Sequence, residues 1–191
     1  MNILVACEFS GRVRDAFRAL GHTAISCDLV ETEVPGPHFV GDVRDILGLG
    51  WDLMIGHPPC DHLATSGRRW FKDKAPEQAK ALDFFEHLWN APIPKICLEN
   101  PVGIVSTRIH PATQYVEPWQ FGHEEAKKTG LWLKNLPRLR PTKVMSRRAA
   151  LVQGLGETKD RARRRSRTYL GIAQAMAEQW GQPTASRRAE A

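Results

Sequence analysis

Asp52-Leu53-Met54-Ile55-Gly56-His57-Pro58-Pro59-Cys60-Asp61-His62 is the stretch around which the chain is organised. Leu53 to Ile55 is a short apolar run that reads as a buried strand, and Gly56 ends it. Pro58 and Pro59 stiffen the backbone beyond His57, because each ring fixes φ and removes an N–H donor. Cys60 therefore stands on a rigid turn at the carboxyl end of a strand, where ligands bind in open α/β sheets. Two readings of Cys60 are open at this point: a nucleophilic thiol, or a small buried hydrophobe behind a Pro-Pro turn.

Upstream, Asn2 to Ala6 reads as a first strand and Glu8-Phe9-Ser10-Gly11 as the turn after it. Val13, Ala16, Phe17 and Leu20 have helical spacing, and Gly21 is a natural stop. Thr23 to Cys27 reads as a second strand with Asp28 at its end. This is a strand–turn–helix–strand–acid unit of the kind that opens nucleotide-binding α/β folds. The turn has a single glycine, so it is a weak phosphate cradle. Asp28 suits a pair of ribose hydroxyls, but a lone Asp at a strand end is also an ordinary turn residue. His38 to Gly41 reads as a short strand, again closed by an acid, Asp42.

Downstream, Cys60 to Lys74 reads as a polar loop long enough to be functional. Ala75, Ala79, Leu82, Phe85, Leu88 and Trp89 form a helical stripe expected to face the core. Lys95 to Leu98 reads as a fifth strand, ended by Glu99-Asn100-Pro101. Glu99 is a second reactive-type group at a strand end, or a plain turn carboxylate beside Asn-Pro. Tyr115 to Gly122 and Lys128 to Lys134 read as further strands. Tyr169 to Trp180 reads as a closing helix with Ile172, Ala173, Met176, Ala177 and Trp180 on one face.

A chain of 191 residues is long enough for one domain with a real core. No apolar run approaches the ~20 residues of a membrane span. The first residues lack the basic region of a signal peptide, so a cytoplasmic protein is expected. Cys7, Cys27, Cys60 and Cys97 contain no CxxC pair, which argues against a zinc ribbon. Cys7, Cys27 and Cys97 are expected to be reduced and in or beside the core. From Arg147 to Arg167 there are eight bases and two acids, so this one segment carries the chain's whole net charge of +6. Charge focused in that way points to a polyanion more than to a merely solvated loop.

Taken together, the strand ends resemble those of the DNA cytosine-C5 methyltransferase family. Phe9-Ser10-Gly11 resembles its Phe-x-Gly cofactor loop. Asp28 lies where the family has an acid for the cofactor ribose. Gly41-Asp42-Val43 resembles its Gly-Asp-Ile/Val element, whose Asp meets the adenine amino group. Pro59-Cys60 resembles its Pro-Cys dipeptide, and Glu99-Asn100-Pro101 its Glu-Asn-Val element. The matches keep the family's order and cover Met1 to Val102 well. Departures are equally clear. Asp61 replaces the usual Gln, Pro101 replaces Val, and the Gln-x-Arg-x-Arg element is not evident. Lys127-Lys128, Arg138-Leu139-Arg140 or Arg165-Ser166-Arg167 are candidates for its place. There is no room for a large target-recognition domain, so the chain looks more like small phage-type members of the wider group.

The resemblance implies a single-domain, Rossmann-like α/β fold with a mostly parallel sheet, spanning residues 1–182. A basic loop is expected at 143–168 and a disordered tail at 183–191. It implies S-adenosyl-L-methionine as cofactor and DNA as partner; no metal is expected, and a role as partner of a separate recognition subunit is the alternative. Cys60 and Glu99 become the catalytic pair. Phe9, Ser10, Gly11, Asp28, Asp42, Pro58 and Pro59 line the cofactor. Asn100, Arg163, Arg164, Arg165 and Arg167 contact substrate. The chemistry so implied is attack of the Cys60 thiolate on cytosine C6, with Arg68, Arg69 or His57 favouring the thiolate. A Glu99 carboxyl of raised pKa would serve at N3.

Rival readings remain. An amino methyltransferase shares the Pro-Pro but needs an aromatic where Cys60 stands, and needs no thiol. A metal site from His57, Cys60 and His62 lacks a nearby fourth ligand. A zinc deaminase needs His-x-Glu and Pro-Cys-x-x-Cys, and position 63 is Leu. A non-catalytic nucleic-acid-binding protein would account for the basic segment and the missing recognition domain.

Overall fold

Every core strand is a run of apolar residues whose alternate side chains leave on opposite faces. In β1 (Asn2–Ala6), Ile3 and Val5 enter one hydrophobic cluster while Leu4 and Ala6 enter another. Two buried faces need two covering layers, and this is what the computed structural model contains; it describes residues 1–64, 75–146 and 166–182. The chain continues with α1 (Arg12–Ala19), β2 (Thr23–Asp28), β3 (His38–Val40), β4 (Leu53–Gly56) and α2 (Ala75–Trp89). It then forms β5 (Lys95–Pro101), α3 (Val105–Arg108), β6 (Gln114–Val116), β7 (Thr129–Lys134) and α4 (Leu170–Trp180).

The strands form one sheet in the order β3-β2-β1-β4-β5-β7-β6. Neighbours from β3 to β5 are parallel, whereas β7 runs antiparallel to both β5 and β6. Strand order turns back between β1 and β4, so the crevice above their carboxyl ends is the topological switch point. On one face Val13 and Phe17 of α1 and Ile172, Met176 and Trp180 of α4 pack on Ile3, Val5 and Ile55. On the other, Phe85 and Leu88 of α2 pack on Leu4, Met54 and Ile96. Buried tryptophans keep their indole N–H groups satisfied: Trp132 donates to His110 O at 2.8 Å and Trp180 to Pro137 O at 3.0 Å. Among the described residues, no helix is long and apolar enough to cross a membrane.

Three elements differ from the sequence reading. β5 does not stop at Leu98 but runs through Glu99 and Asn100 to Pro101, because β7 pairs with it residue for residue to Thr129. The segment from Tyr115 to Gly122 is not one strand. Pro118 opens a 3-10 turn at Pro118–Gln120, closed by a capping box between Glu117 and Gln120. The α2 stripe is core only at its carboxyl half. Phe85 and Leu88 are buried, Leu82 and Trp89 half-buried, and Ala75 and Ala79 exposed. Cys27 and Cys97 are buried and Cys7, with a left-handed backbone at φ 57, packs beside the core, all three as free thiols, as expected. The expected disordered tail and positions 147–165 of the expected basic loop lie outside the described residues.

Candidate active site

The carboxyl ends of β1, β2, β3, β4 and β5 deliver Glu8 to Gly11, Asp28, Asp42, His57 to Cys60, and Glu99 with Asn100 to one edge of the sheet. At β4 the backbone leaves the sheet at His57, whose N–H still donates to Ala6 O at 2.9 Å. The Pro58-Pro59 segment cannot donate to a ladder, so it is held from the side: Asn100 Nδ2 donates to Pro58 O at 2.9 Å. Cys60 then opens a turn, its carbonyl accepting from Leu63 N and Ala64 N, both at 3.0 Å. That turn is locked to the loop after β5, where Ile104 N donates to Leu63 O at 2.9 Å. A Cβ at Gly103 would lie 2.2 Å from Leu63 O, so only glycine permits this approach.

Glu99 and His57 form the polar centre. Glu99 sits one register step beyond the Gly56–Leu98 pair. Its Oε2 is 2.9 Å from His57 Nδ1, with side-chain exposures of 19% and 8% respectively. Burial pushes the Glu99 carboxyl up. The His57 hydrogen bond, the charges of Lys127 and His57, and a hydrogen bond from Thr129 together outweigh it and hold Glu99 below the usual range. The expectation of a raised Glu99 is therefore corrected for the free protein. Cys60 moves the other way. Burial, then Asp61 and Glu99, push its half-buried thiol up, against the charge of Lys127 and a backbone hydrogen bond. Arg68 and Arg69 lie outside the described residues, and His57 is engaged with Glu99. Among the described residues, Lys127, whose ammonium lies 5.9 Å from the Tyr169 ring centroid, is a cation that favours the thiolate.

On the other side of the switch point, Ser10 is buried and donates to Glu8 Oε1 at 3.1 Å. The same carboxylate accepts from Val13 N at 2.7 Å and Arg14 N at 3.3 Å, filling the amino end of α1 from within. Gly11, at φ 71, supplies the left-handed turn that this requires. Phe9 is tied through its carbonyl to Glu33 N at 2.8 Å. Asp28 receives Val30 N at 3.3 Å, and burial pushes its carboxyl up despite the Val30 and Leu29 amides. Asp42 caps the 3-10 turn at Val43–Asp45, and Arg44 grips its carboxylate. That hydrogen bond, above all, holds Asp42 down at about 2. Burial, then the charges of Asp28 and Asp42, push Cys27 up to about 12, and the same causes raise Cys7 further.

Arg163, Arg164 and Arg165 lie outside the described residues. Arg167 is placed, but against protein: Nε and Nη2 bind Glu33 Oε2 and Oε1 at 2.7 and 2.8 Å. Glu8, Glu33, Arg14 and Thr129 were missed by the sequence reading. Arg14 is fully buried, bridging Asp15, Ser26, Thr32 and the carbonyls of Val34 and Pro35. Only the Glu8-to-Val13 spacing, an acid just ahead of a helix, was a usable signal. A cleft of about 780 Å³ opens between Ser10, Arg12, Glu33, Val34, Arg167 and Gln174, beside the β1–α1 loop. Among the described residues, no cluster of three or more His, Cys, Asp or Glu could hold a metal ion.

No family model and no curated protein matches the sequence. The structure is similar to a methyltransferase from Entamoeba histolytica, with a TM-score of 0.50 at 15% identity, covering 80% of this chain and 58% of that one. It also matches a prophage-encoded Escherichia coli protein described as a DNA modification methyltransferase, at 0.49 and 13%, covering 76% of this chain and 52% of that one. A DNMT2 from Spodoptera frugiperda matches at 0.40 and 15%, covering 77% and 55%. The chain spans little more than half the length of these proteins. At such identities the likeness is one of architecture: this chain has the Rossmann-like, mostly parallel α/β fold of the Entamoeba methyltransferase.

Proposed function

We propose that this chain is an S-adenosylmethionine-dependent DNA methyltransferase that methylates cytosine at C5 through a covalent bond to Cys60. The observation that carries the reading is the pairing of Cys60 with Glu99. Cys60 follows β4 and Glu99 lies at the carboxyl end of β5, so the two stand on adjacent parallel strands beside the switch point.

The donor set suits the cofactor. S-adenosylmethionine carries two positive charges, ribose hydroxyls and an adenine amine. The crevice edge offers the carboxylates Asp28 and Asp42, and Glu33 lines the adjoining cleft. Phe9, Ser10, Gly11, Pro58 and Pro59 would form its walls. When bound, this group supplies an electrophilic methyl. Cys60 attacks C6 of the base, Glu99 holds N3, and C5 becomes the nucleophile; loss of the C5 proton and departure of Cys60 then restore the ring. A base in a duplex must first leave the stack, which costs a few kcal/mol. Phosphates would meet the basic segment around Arg163, Arg164 and Arg165. A separate recognition subunit would supply sequence choice.

The test is methyl transfer from labelled S-adenosylmethionine to single- and double-stranded DNA, followed by nucleoside analysis. 5-Methylcytosine, lost in Cys60→Ala, is the expected product. N4-methylcytosine or N6-methyladenine, retained in Cys60→Ala, would establish the amino rival. DNA binding without cofactor binding would establish the inert binder.

A further inference from the structure

Arg167 closes the basic segment in sequence, yet two of its guanidinium nitrogens are engaged within the protein. Resting on the S-adenosylmethionine reading of the crevice, we propose that Arg167 is a positioning residue for the cofactor. With Glu33 it latches the loop between β2 and β3 onto the turn after β1, and so fixes the wall against which the cofactor binds.

That loop, residues 29–37, begins directly after Asp28 and contains neither helix nor strand. Its shape must therefore come from side chains elsewhere. From inside, the fully buried Arg14 donates Nη1 to Thr32 Oγ1 and Nη2 to the carbonyls of Val34 and Pro35, each at 3.3 Å. At the crevice, Glu33 N donates to Phe9 O at 2.8 Å, which ties the loop to Phe9-Ser10-Gly11. From outside, Arg167 Nε and Nη2 donate to Glu33 Oε2 and Oε1 at 2.7 and 2.8 Å. Two parallel N–H···O bonds fix direction as well as distance. The chain that carries Arg167 is itself anchored, because Arg12 Nη1 at the start of α1 donates to Thr168 O at 2.8 Å. Arg12, Glu33 and Arg167 all border the cleft of about 780 Å³ beside Ser10. The side chains of Arg167 and Glu33 are 30% and 17% exposed, so removing one member strands no fully buried charge. A shift of Glu33 would instead be passed to Phe9 through the backbone bond, and to Asp28 through the start of the loop.

The test is a double-mutant cycle on the full chain, read first by equilibrium binding of S-adenosylmethionine alone. Arg167→Ala and Glu33→Gln should each weaken that affinity by about tenfold, and the double variant should be hardly weaker than either single one, because a shared contact is lost only once. Glu33→Gln keeps the size of the side chain and reads the pair even where Arg167→Ala costs folding. In methyl transfer the loss should fall on KM for the cofactor and leave kcat within about twofold. The salt dependence of DNA binding should stay that of wild type, since a lost phosphate contact would lower its slope by about one. Additive losses, a cofactor affinity unchanged or raised in Arg167→Ala, or a lowered salt slope would overturn the inference while leaving the Cys60 reading intact. Wild-type protein that binds no S-adenosylmethionine would sink the cofactor reading, and the inference with it.

Discussion

Asn100 Nδ2 donates to the carbonyl of Pro58 at 2.9 Å, and this bond joins the Pro-Pro turn to the neighbouring strand. Asn100 is 1% exposed, so its loss cannot be made good by solvent. Asn100→Ala leaves the Pro58 carbonyl unpaired and should lower unfolding stability by about 1–3 kcal/mol, read from a denaturant curve. Methyl transfer should fall as well, since Cys60 follows the turn directly. Unchanged stability together with unchanged transfer would mean that the turn is held by the prolines alone.

The charges around Cys60 make opposite changes measurable in one assay. Burial, Asp61 and Glu99 raise the thiol, while Lys127 lowers it. Glu99→Gln removes a raising charge and should speed alkylation of Cys60 at pH 8 by roughly two- to fivefold, because only the thiolate reacts. Lys127→Ala removes the opposing charge and should slow it by a similar factor. Peptide mass mapping separates Cys60 from Cys7, Cys27 and Cys97. Equal rates in all three proteins would place Cys60 outside the reach of both groups.

Gly103 sets the distance between the Cys60 turn and the loop after β5. A side chain there would meet Leu63 O, which is backbone and accepts from Ile104 N. Gly103→Ala should therefore displace the turn, with a loss of methyl transfer larger than its loss of stability. Gly48→Ala, with open space around the added carbon, is the control.

Asp42 gives a pH signature independent of Cys60. Arg44 holds its carboxyl down at about 2 in the folded chain, against about 3.9 for a free Asp. A depressed folded pKa contributes stability above the ordinary value, and that contribution is lost as pH falls from about 4 toward about 2. In Arg44→Ala, carboxyl NMR should show the Asp42 midpoint moved up toward the ordinary value, the amide of residue 44 still holding it somewhat below, with less acid destabilisation specific to this site. An unchanged Asp42 midpoint would mean that backbone amides, not Arg44, hold it.

Much of the sheet was legible because its strands are apolar runs closed by glycine, proline or an acid. Asp28, Asp42, Cys60 and Glu99 could be assigned to strand ends for that reason. The extension of β5 to Pro101 was not legible, since pairing with β7 overrides the turn signal of Asn-Pro. The burial of Arg14 was also hidden: it depends on the 29–37 loop folding back, with Gly36 leaving room for the guanidinium. Arg167 and Glu33 are 134 positions apart, so no local pattern joins them. The link between His57 and Glu99 depends on β4 and β5 being neighbours, which is a fact of topology.

A covalent Cys60 adduct is the step on which the proposed chemistry stands or falls. It can be read from the intact mass of the protein after incubation with S-adenosylmethionine and DNA containing 5-fluorocytosine. Fluorine at C5 blocks the final elimination. The expected result is a cofactor-dependent protein–DNA adduct that maps to Cys60 and vanishes in Cys60→Ala. Methyl transfer to ordinary cytosine without any adduct, or an adduct that survives in Cys60→Ala, would contradict it.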